Sequence, residues 1–285
     1  MEETLKIGIC SFSFFRLFLT GAQDIFQYFT TCKELGATQL DPWDAHFAPL
    51  KAWEFGWKIW ADPDRVELIP QEQAYLKKVK EAAEEIELPI GCICVDGAHI
   101  YEASPTARRA NRAAAYKWLL IGNLLDARQI RFDSGGPPEM PEEVFSLIIE
   151  GYQDLVSKGR ELGIEILIEN HWGASQIPEN LVRILDAVEG LGFLMDTHNW
   201  APDMKEKGWQ MCAPYTTGTH IKTFSFDEEG YEPTVDIPKA MHLLLDCGYD
   251  GYWGVESMPM DGDEYEGVRR TIELIKKVLN EQEYR

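Results

Sequence analysis

The chain has 285 residues, 45% of them hydrophobic, with 27 Lys and Arg against 48 Asp and Glu and a formal net charge of −21. So acidic a surface repels phosphate backbones and anionic membranes, which argues against nucleic acid as a partner. No apolar run reaches the roughly 18 residues that a membrane span needs, so none is expected.

Short apolar runs alternate along the chain with patterns of helical spacing. "MEETLKIGIC" is acidic and enters a strand at once, so no secretory signal is expected. The strand candidates are "LKIGICSF", "TQLDPW", "PIGCICVDG", "RQIRFDSGG", "IEILIENHW", "GFLMDTHNW", "TGTHIKTFSF" and "GYWGVESM". Helical patterns separate them, the weakest being "PDMKEKGWQMCAP". Gly36, Gly163 and Gly248 sit where left-handed helix ends are expected, and Pro178 and Pro238 where first turns begin. Eight strand–helix alternations imply parallel strands and predict a single (β/α)8 TIM barrel over residues 1–285. The rival, a dinucleotide-binding open sheet, would need a G-x-G-x-x-G motif after a strand, and there is none.

Residues 44–70 break this rhythm as an aromatic-rich insertion after strand 2, carrying Phe47, Trp53, Phe55, Trp57 and Trp60. Such an insertion belongs to the C-terminal face of a barrel, where aromatic rings could stack on a substrate, form a lid or contact another subunit. Asp41, His46 and Trp53 are accordingly candidates for substrate contact, and a homo-oligomer is one expectation. The six cysteines include no C-x-x-C pair, and Cys92 and Cys94 share one strand face. They read as reduced core thiols of a cytoplasmic protein.

Active sites of such barrels collect at the C-terminal strand ends. The fifth strand ends in Glu169 and His171, the sixth in Asp196, His198 and Asn199, the seventh in His220 and Lys222, and the eighth in Glu256. Residues two apart share a strand face, so each of these sets could point into the barrel mouth. Glu169, Asp196, His220 and Glu256 would then converge. Burying three carboxylates together is costly without a cation. A set of one imidazole and three carboxylates is hard and oxygen-rich, suiting Mn²⁺, Mg²⁺ or Co²⁺. Arg131 and Asp133 end the fourth strand, Arg131 as a structural ion-pair partner. His99 is a weaker candidate, and His242, in a helical stretch, reads as structural.

"LIENH", "LMDTHNW", "THIKTFSF" and "GYWGVES" resemble strand ends of the xylose isomerase-like TIM-barrel superfamily. That superfamily includes sugar isomerases, ketose 3-epimerases, inosose dehydratase and endonuclease IV. The resemblance implies that Glu169, Asp196, His220 and Glu256 hold one divalent cation, Mn²⁺ foremost, and that Glu169 and Glu256 also move protons. It implies a metal-dependent isomerase or epimerase acting on a sugar or polyol ketone: a proton is abstracted beside the carbonyl through a metal-stabilised enediolate and returned by the other glutamate. The epimerases usually have D-x-x-H on the sixth strand. Here Asn199 takes the third place after Asp196, and the histidine stands one position earlier at His198. His198, Asn199 and Lys222 are expected to touch substrate, and His171 is an alternative base or an orienting group. The second reading is a lyase on the same scaffold, a dehydratase or a C-glycoside-cleaving subunit. A repair endonuclease would need a basic groove, against the charge of −21, and a non-enzymatic barrel would not need the metal set.

Overall fold

A computed structural model describes residues 5–47 and 65–283. Eight strands form one parallel sheet in the order β2-β1-β8-β7-β6-β5-β4-β3. They are β1 (Ile7–Cys10), β2 (Gln39–Asp41), β3 (Cys92–Val95), β4 (Gln129–Phe132), β5 (Glu165–Glu169), β6 (Gly192–Asp196), β7 (Thr216–Thr223) and β8 (Trp253–Ser257). Seven fall within the runs expected from the sequence, and β7 starts one residue before its run. β2 and β3 are joined by the isolated parallel bridges Leu40–Ile90 and Trp43–Cys94, which bring the sheet round into a nearly closed barrel. Around it lie α1 (Phe15–Leu19), α2 (Ile25–Glu34), α3 (Pro70–Glu85), α4 (Pro105–Leu124), α5 (Glu142–Leu162), α6 (Pro178–Ala187), α7 (Lys205–Cys212), α8 (Ile237–Asp246) and α9 (Glu264–Glu283). The weak pattern around 202–214 does form a helix, α7, packed through the buried Trp209.

Helix ends follow local chemistry. The Asp24 carboxylate accepts from the Gln27 amide at 2.9 Å while the Gln27 side chain accepts from the Asp24 amide at 2.8 Å, a reciprocal cap on α2. Gly163, at φ 73°, ends α5 in the left-handed region that glycine enters without steric cost. Pro178 opens α6 and Pro238 lies in the first turn of α8.

The period of two along each strand separates two interiors. Outward residues such as Ile9, Leu40, Ile93, Ile130, Ile168, Phe193 and Val255 join the helices in one large core. Inward, Cys10, Cys92, Cys94, Leu167 and Leu194 form a separate small cluster inside the barrel. Inward polar groups fit because facing positions are glycine: a Cβ on Gly8 would stand 2.0 Å from Asp41 Oδ2, and one on Gly254 3.3 Å from His220 Cδ2. The register aligns Asp196 with His220 and Lys222 with Glu256, so the inward side chains at the C-terminal end of the sheet stack into one layer.

Tyr28 on α2 clips the first two strands together. Its buried hydroxyl donates to the Ile9 carbonyl at 2.5 Å and accepts from the Asp41 amide at 3.0 Å. Tyr28→Phe strands both groups away from water. It should cost about 1–3 kcal/mol in unfolding free energy, read from the urea midpoint at unchanged slope.

Candidate metal centre and active site

Four strand ends bring Glu169, Asp196, His220 and Glu256 together, each offering a ligand atom within 4.8 Å of the others, and all four are buried. His220 Nδ1 lies 2.9 Å from Glu256 Oε2 and 3.5 Å from Glu169 Oε1. Lys222 Nζ stands 2.6 Å from Glu256 Oε1 and 3.4 Å from Asp196 Oδ2. Burial opposes ionisation of Glu256, but Lys222 and His220 overcome it and hold the carboxyl well below the usual range. Asp196 goes the other way. Burial pushes it up to about 6, with Glu256 and Glu169 adding to the rise against Lys222.

The donor set suits a divalent cation. Asp196 Oδ2 and His220 Nδ1 are buried without a hydrogen-bond partner among the described residues, although each has an opposite charge nearby. Oxygen and nitrogen ligand atoms converging on one point, with Lys222 the cation already beside them, are what a divalent ion would use. Three carboxylates and one imidazole would hold it by oxygen and nitrogen, the preference of Mn²⁺, Mg²⁺ and Co²⁺.

A second ionic group adjoins the first. Arg131 Nε lies 2.9 Å from Glu169 Oε2, and its Nη1 donates to Asp133 Oδ2 at 2.8 Å and Asp96 Oδ1 at 2.7 Å. Arg131 is thus the expected ion-pair partner inside the barrel, and it ties β3, β4 and β5 at one level. His171 Nδ1 sits 3.3 Å from both Asp133 oxygens. Burial lowers its basicity, but Asp133 and Glu169 reverse that and raise its pKa to about 9. Its ring stacks on Trp172 at 4.0 Å, and Trp172 remains exposed. Across the opening, Trp43 donates through its indole to Asp96 at 2.8 Å and packs edge-on to Phe12 at 5.0 Å.

The turn after β6 decides between His198 and Asn199. The strand stops at Asp196, whose Oδ1 accepts from the amides of His198 at 2.6 Å and Asn199 at 2.9 Å. That turn breaks the alternation that would have put His198 inside. His198 instead packs against Phe224 at 4.9 Å, half-buried, its basicity lowered by burial, Lys205 and Lys222. Asn199 enters the site: its amide donates to Glu169 Oε1 at 3.2 Å and its carbonyl accepts from Lys222 at 3.1 Å.

Three other expectations for substrate contact fare differently. Asp41 does not reach the C-terminal mouth. Its carboxylate turns into the barrel, accepts from the Cys92 amide and the Gln39 side chain, both at 2.8 Å, and lines a cavity with the strand-opening residues Gln129, Glu165 and Thr217. His46 is fully buried against Phe18, its rings 4.4 Å apart, and burial lowers its pKa to about 3, so it is a neutral core histidine. Trp53, with most of the aromatic insertion, lies outside the described residues. His99 stays at the rim, 3.3 Å from Glu102, and His242 lies on α8 in the outer helix layer. Asp96 and Trp172 were not singled out from the sequence. The "VDG" at the end of a strand and the "NHWG" after another were the available signals.

Comparison with known proteins bears on the fold and the family. No curated protein sequence matches the chain. Among solved structures, the chain is similar to 3-keto-D-glucoside 4-epimerase YcjR from E. coli (TM-score 0.69, 15% identity, 96% of this chain and 99% of that one). It is similar to the probable 3-DHS dehydratase AsbF of Bacillus anthracis (TM-score 0.67, 12% identity, 95% and 99%). It is also similar to a xylose isomerase-like TIM-barrel protein from Mycobacterium smegmatis in complex with magnesium (TM-score 0.68, 17% identity, 97% and 97%). The sequence model of the xylose isomerase-like TIM barrel matches residues 47–278, most of the chain, and the protein belongs to that family.

Proposed function

We propose that the protein is a divalent-metal-dependent isomerase or epimerase of a sugar or polyol ketone. One observation carries the reading: Glu169 and Glu256 face each other across a single imidazole nitrogen, at 3.5 Å and 2.9 Å. Two carboxylates on opposite sides of one small site are the arrangement that removes a proton from one face of a carbon and returns it on the other. The similarity to an enzyme described as a 3-keto-glucoside epimerase supports a substrate whose reacting carbon adjoins a ketone.

In this reading Glu169, Asp196, His220 and Glu256 hold the cation. When bound, it supplies Lewis-acid polarisation of the carbonyl and so makes the neighbouring C–H more acidic. The chain's own groups do the rest. Glu169, kept ionised by Arg131 against the cost of burial, takes the proton, and Asn199 fixes the angle of its Oε1. Glu256 stands on the opposite side to return it. Lys222, cationic and nearly buried, supplies positive charge where negative charge develops on the substrate oxygen. The exposed ring of Trp172 gives the sugar an apolar face to stack on.

The lyase reading has one feature of its own. His171, held against Asp133 beside Glu169, is a proton donor placed to protonate a leaving group. The similarity to a probable dehydratase fits that arrangement. Both reactions begin with the same proton abstraction, so one experiment separates them. The metal-loaded protein is incubated in D2O with ketoses, inososes and 3-keto-glycosides and followed by NMR. Deuterium entering beside the carbonyl with an epimer or isomer appearing is the expected result. Exchange with loss of water or an aglycone replaces the first reading with the lyase.

Glu169→Gln and Glu256→Gln should each slow that exchange by about 10²–10⁴-fold, while His242→Ala retains it. Near-normal turnover in either glutamine variant would remove the two-glutamate mechanism. Chelation should abolish exchange, and Mn²⁺, Mg²⁺ or Co²⁺ should restore it. Undiminished exchange in protein shown to be metal-free by elemental analysis would end the metal-dependent reading.

A further inference from the structure

His220 presents its second ring nitrogen to a different chemistry. While Nδ1 faces the carboxylates, Nε2 turns into the barrel, 3.8 Å from Cys94 Sγ. Cys10, at the end of β1, completes a group in which the two sulfurs and the imidazole nitrogen all lie within 4.8 Å of one another, every member buried. Three strands contribute, β1, β3 and β7, so the grouping comes from the closure of the barrel and not from local sequence.

We propose that Cys10, Cys94 and the Nε2 of His220 form a second metal site, for one thiophilic divalent cation of the zinc and cadmium class, inside the barrel beneath the carboxylate centre. Ideal tetrahedral coordination at ordinary zinc bond lengths would place sulfur and imidazole nitrogen about 3.5 Å apart and two sulfurs about 3.8 Å apart. The observed sulfur–nitrogen separation needs to close by only a few tenths of an ångström. Two thiolates and an imidazole nitrogen match the softness of such an ion, whereas the oxygen-rich set on the other side of the same ring does not. On ligation each thiol gives its proton to solvent, the ring N–H does the same where Nδ1 already holds the carboxylate-site ion, and the incoming ion takes the sulfur and Nε2 lone pairs.

The site also has an entrance. A cavity of about 210 Å³ opens at the N-terminal mouth of the barrel and is lined by Asp41, Cys92, Gln129, Thr217 and His220. It reaches the imidazole from the side opposite the carboxylates, and its lining carries two acids, Asp41 and Glu165, against one cation, Arg128. Cys92, packed in the same small cluster as Cys10 and Cys94, or a water entering by this route, supplies the fourth position. Ordinary core packing accounts for a thiol such as Cys32, which sits against helix and strand side chains in the large core. It does not account for two thiols meeting one imidazole above a polar shaft. The site shares His220 with the carboxylate centre proposed above, through the ring's other nitrogen, but needs none of the sugar chemistry.

The test is titration of the metal-stripped full chain with Cd²⁺ while saturating Mg²⁺ occupies the carboxylate centre. Thiolate-to-cadmium charge-transfer absorption should rise and saturate at one ion per chain. Cys10→Ser and Cys94→Ser should each lose the band. Cys247→Ser, at an exposed thiol, and Glu256→Gln should keep it. Because a serine inside the barrel could disturb folding, ¹¹³Cd NMR of the unsubstituted protein gives a second readout. A shift in the range of sulfur ligation supports the site, and a shift in the range of oxygen-only ligation overturns it. Absence of the band from the unsubstituted chain, its survival in both cysteine variants, or its loss in Cys247→Ser overturns it equally.

Discussion

Everything at the C-terminal end of this barrel depends on compensating buried negative charge. Asp133, Glu169, Asp196 and Glu256 all lie inside, where an unpaired carboxylate costs several kcal/mol. Arg131 answers Asp133, Asp96 and Glu169, and Lys222 answers Glu256 and Asp196. Arg131, on β4, flanks the cluster beside Glu169, while Lys222, on β7, stands within it between Asp196 on β6 and Glu256 on β8. The centre is left with His220 and unpaired oxygen lone pairs. Electrostatics that stabilise the fold therefore also define the shape of the site, and neither Arg131 nor Lys222 could be neutralised without releasing a buried acid.

The strand period converts this into architecture. A residue that points into the barrel is followed two positions later by another, and the sheet's stagger sorts them into levels. Near the strand starts lie Gln39, Gln129 and Asp41. At the waist lie Cys10, Cys92, Cys94, Leu167 and Leu194, and at the far end the charged layer. His220 crosses between the last two levels, and Gly254 makes room for it. One imidazole thus joins a layer of carboxylates to a layer of thiols, a consequence of placing a long side chain on an inward position opposite glycine.

Much of this was legible in the residues. Eight strand-like runs separated by helical patterns gave the barrel, because parallel strands need crossovers and crossovers show as helical spacing. Glu169, Asp196, His220 and Glu256 were legible as a group because the residues at strand ends keep the strand's period. His198 shows where that logic stops. The period holds only while the backbone stays extended, and the Asp196 carboxylate, by accepting two successive amides, turns the chain one residue too early for His198 and in time for Asn199. Asp41 failed for a related reason. Its strand is only three residues long and joins β3 through single bridges, so its end lies deeper in the barrel than the ends of β5 to β8. His46 looked polar in sequence, but nothing in sequence reports that α1 and α2 close over it with Phe18 and Tyr28.

The same comparison explains why the metal centre alone does not name a reaction. Structures similar to this one are described as an epimerase and as a probable dehydratase, at 15% and 12% identity, so the barrel tolerates both. A shared proton abstraction can end in return of the proton or in departure of a leaving group, and the difference is made by what stands beside the common carboxylates. In this chain that neighbour is the Asp133–His171 pair, backed by Arg131 and covered by Trp172. Asp133 lies two residues after Arg131 on β4, and His171 two after Glu169 on β5, so the pair continues the inward faces of the two strands that carry the ion pair beneath it. Its position is therefore set by the same charge compensation that builds the metal centre. In the lyase reading, leaving-group chemistry would be adjusted by whatever reaches His171 from the mouth, without disturbing the buried layer below.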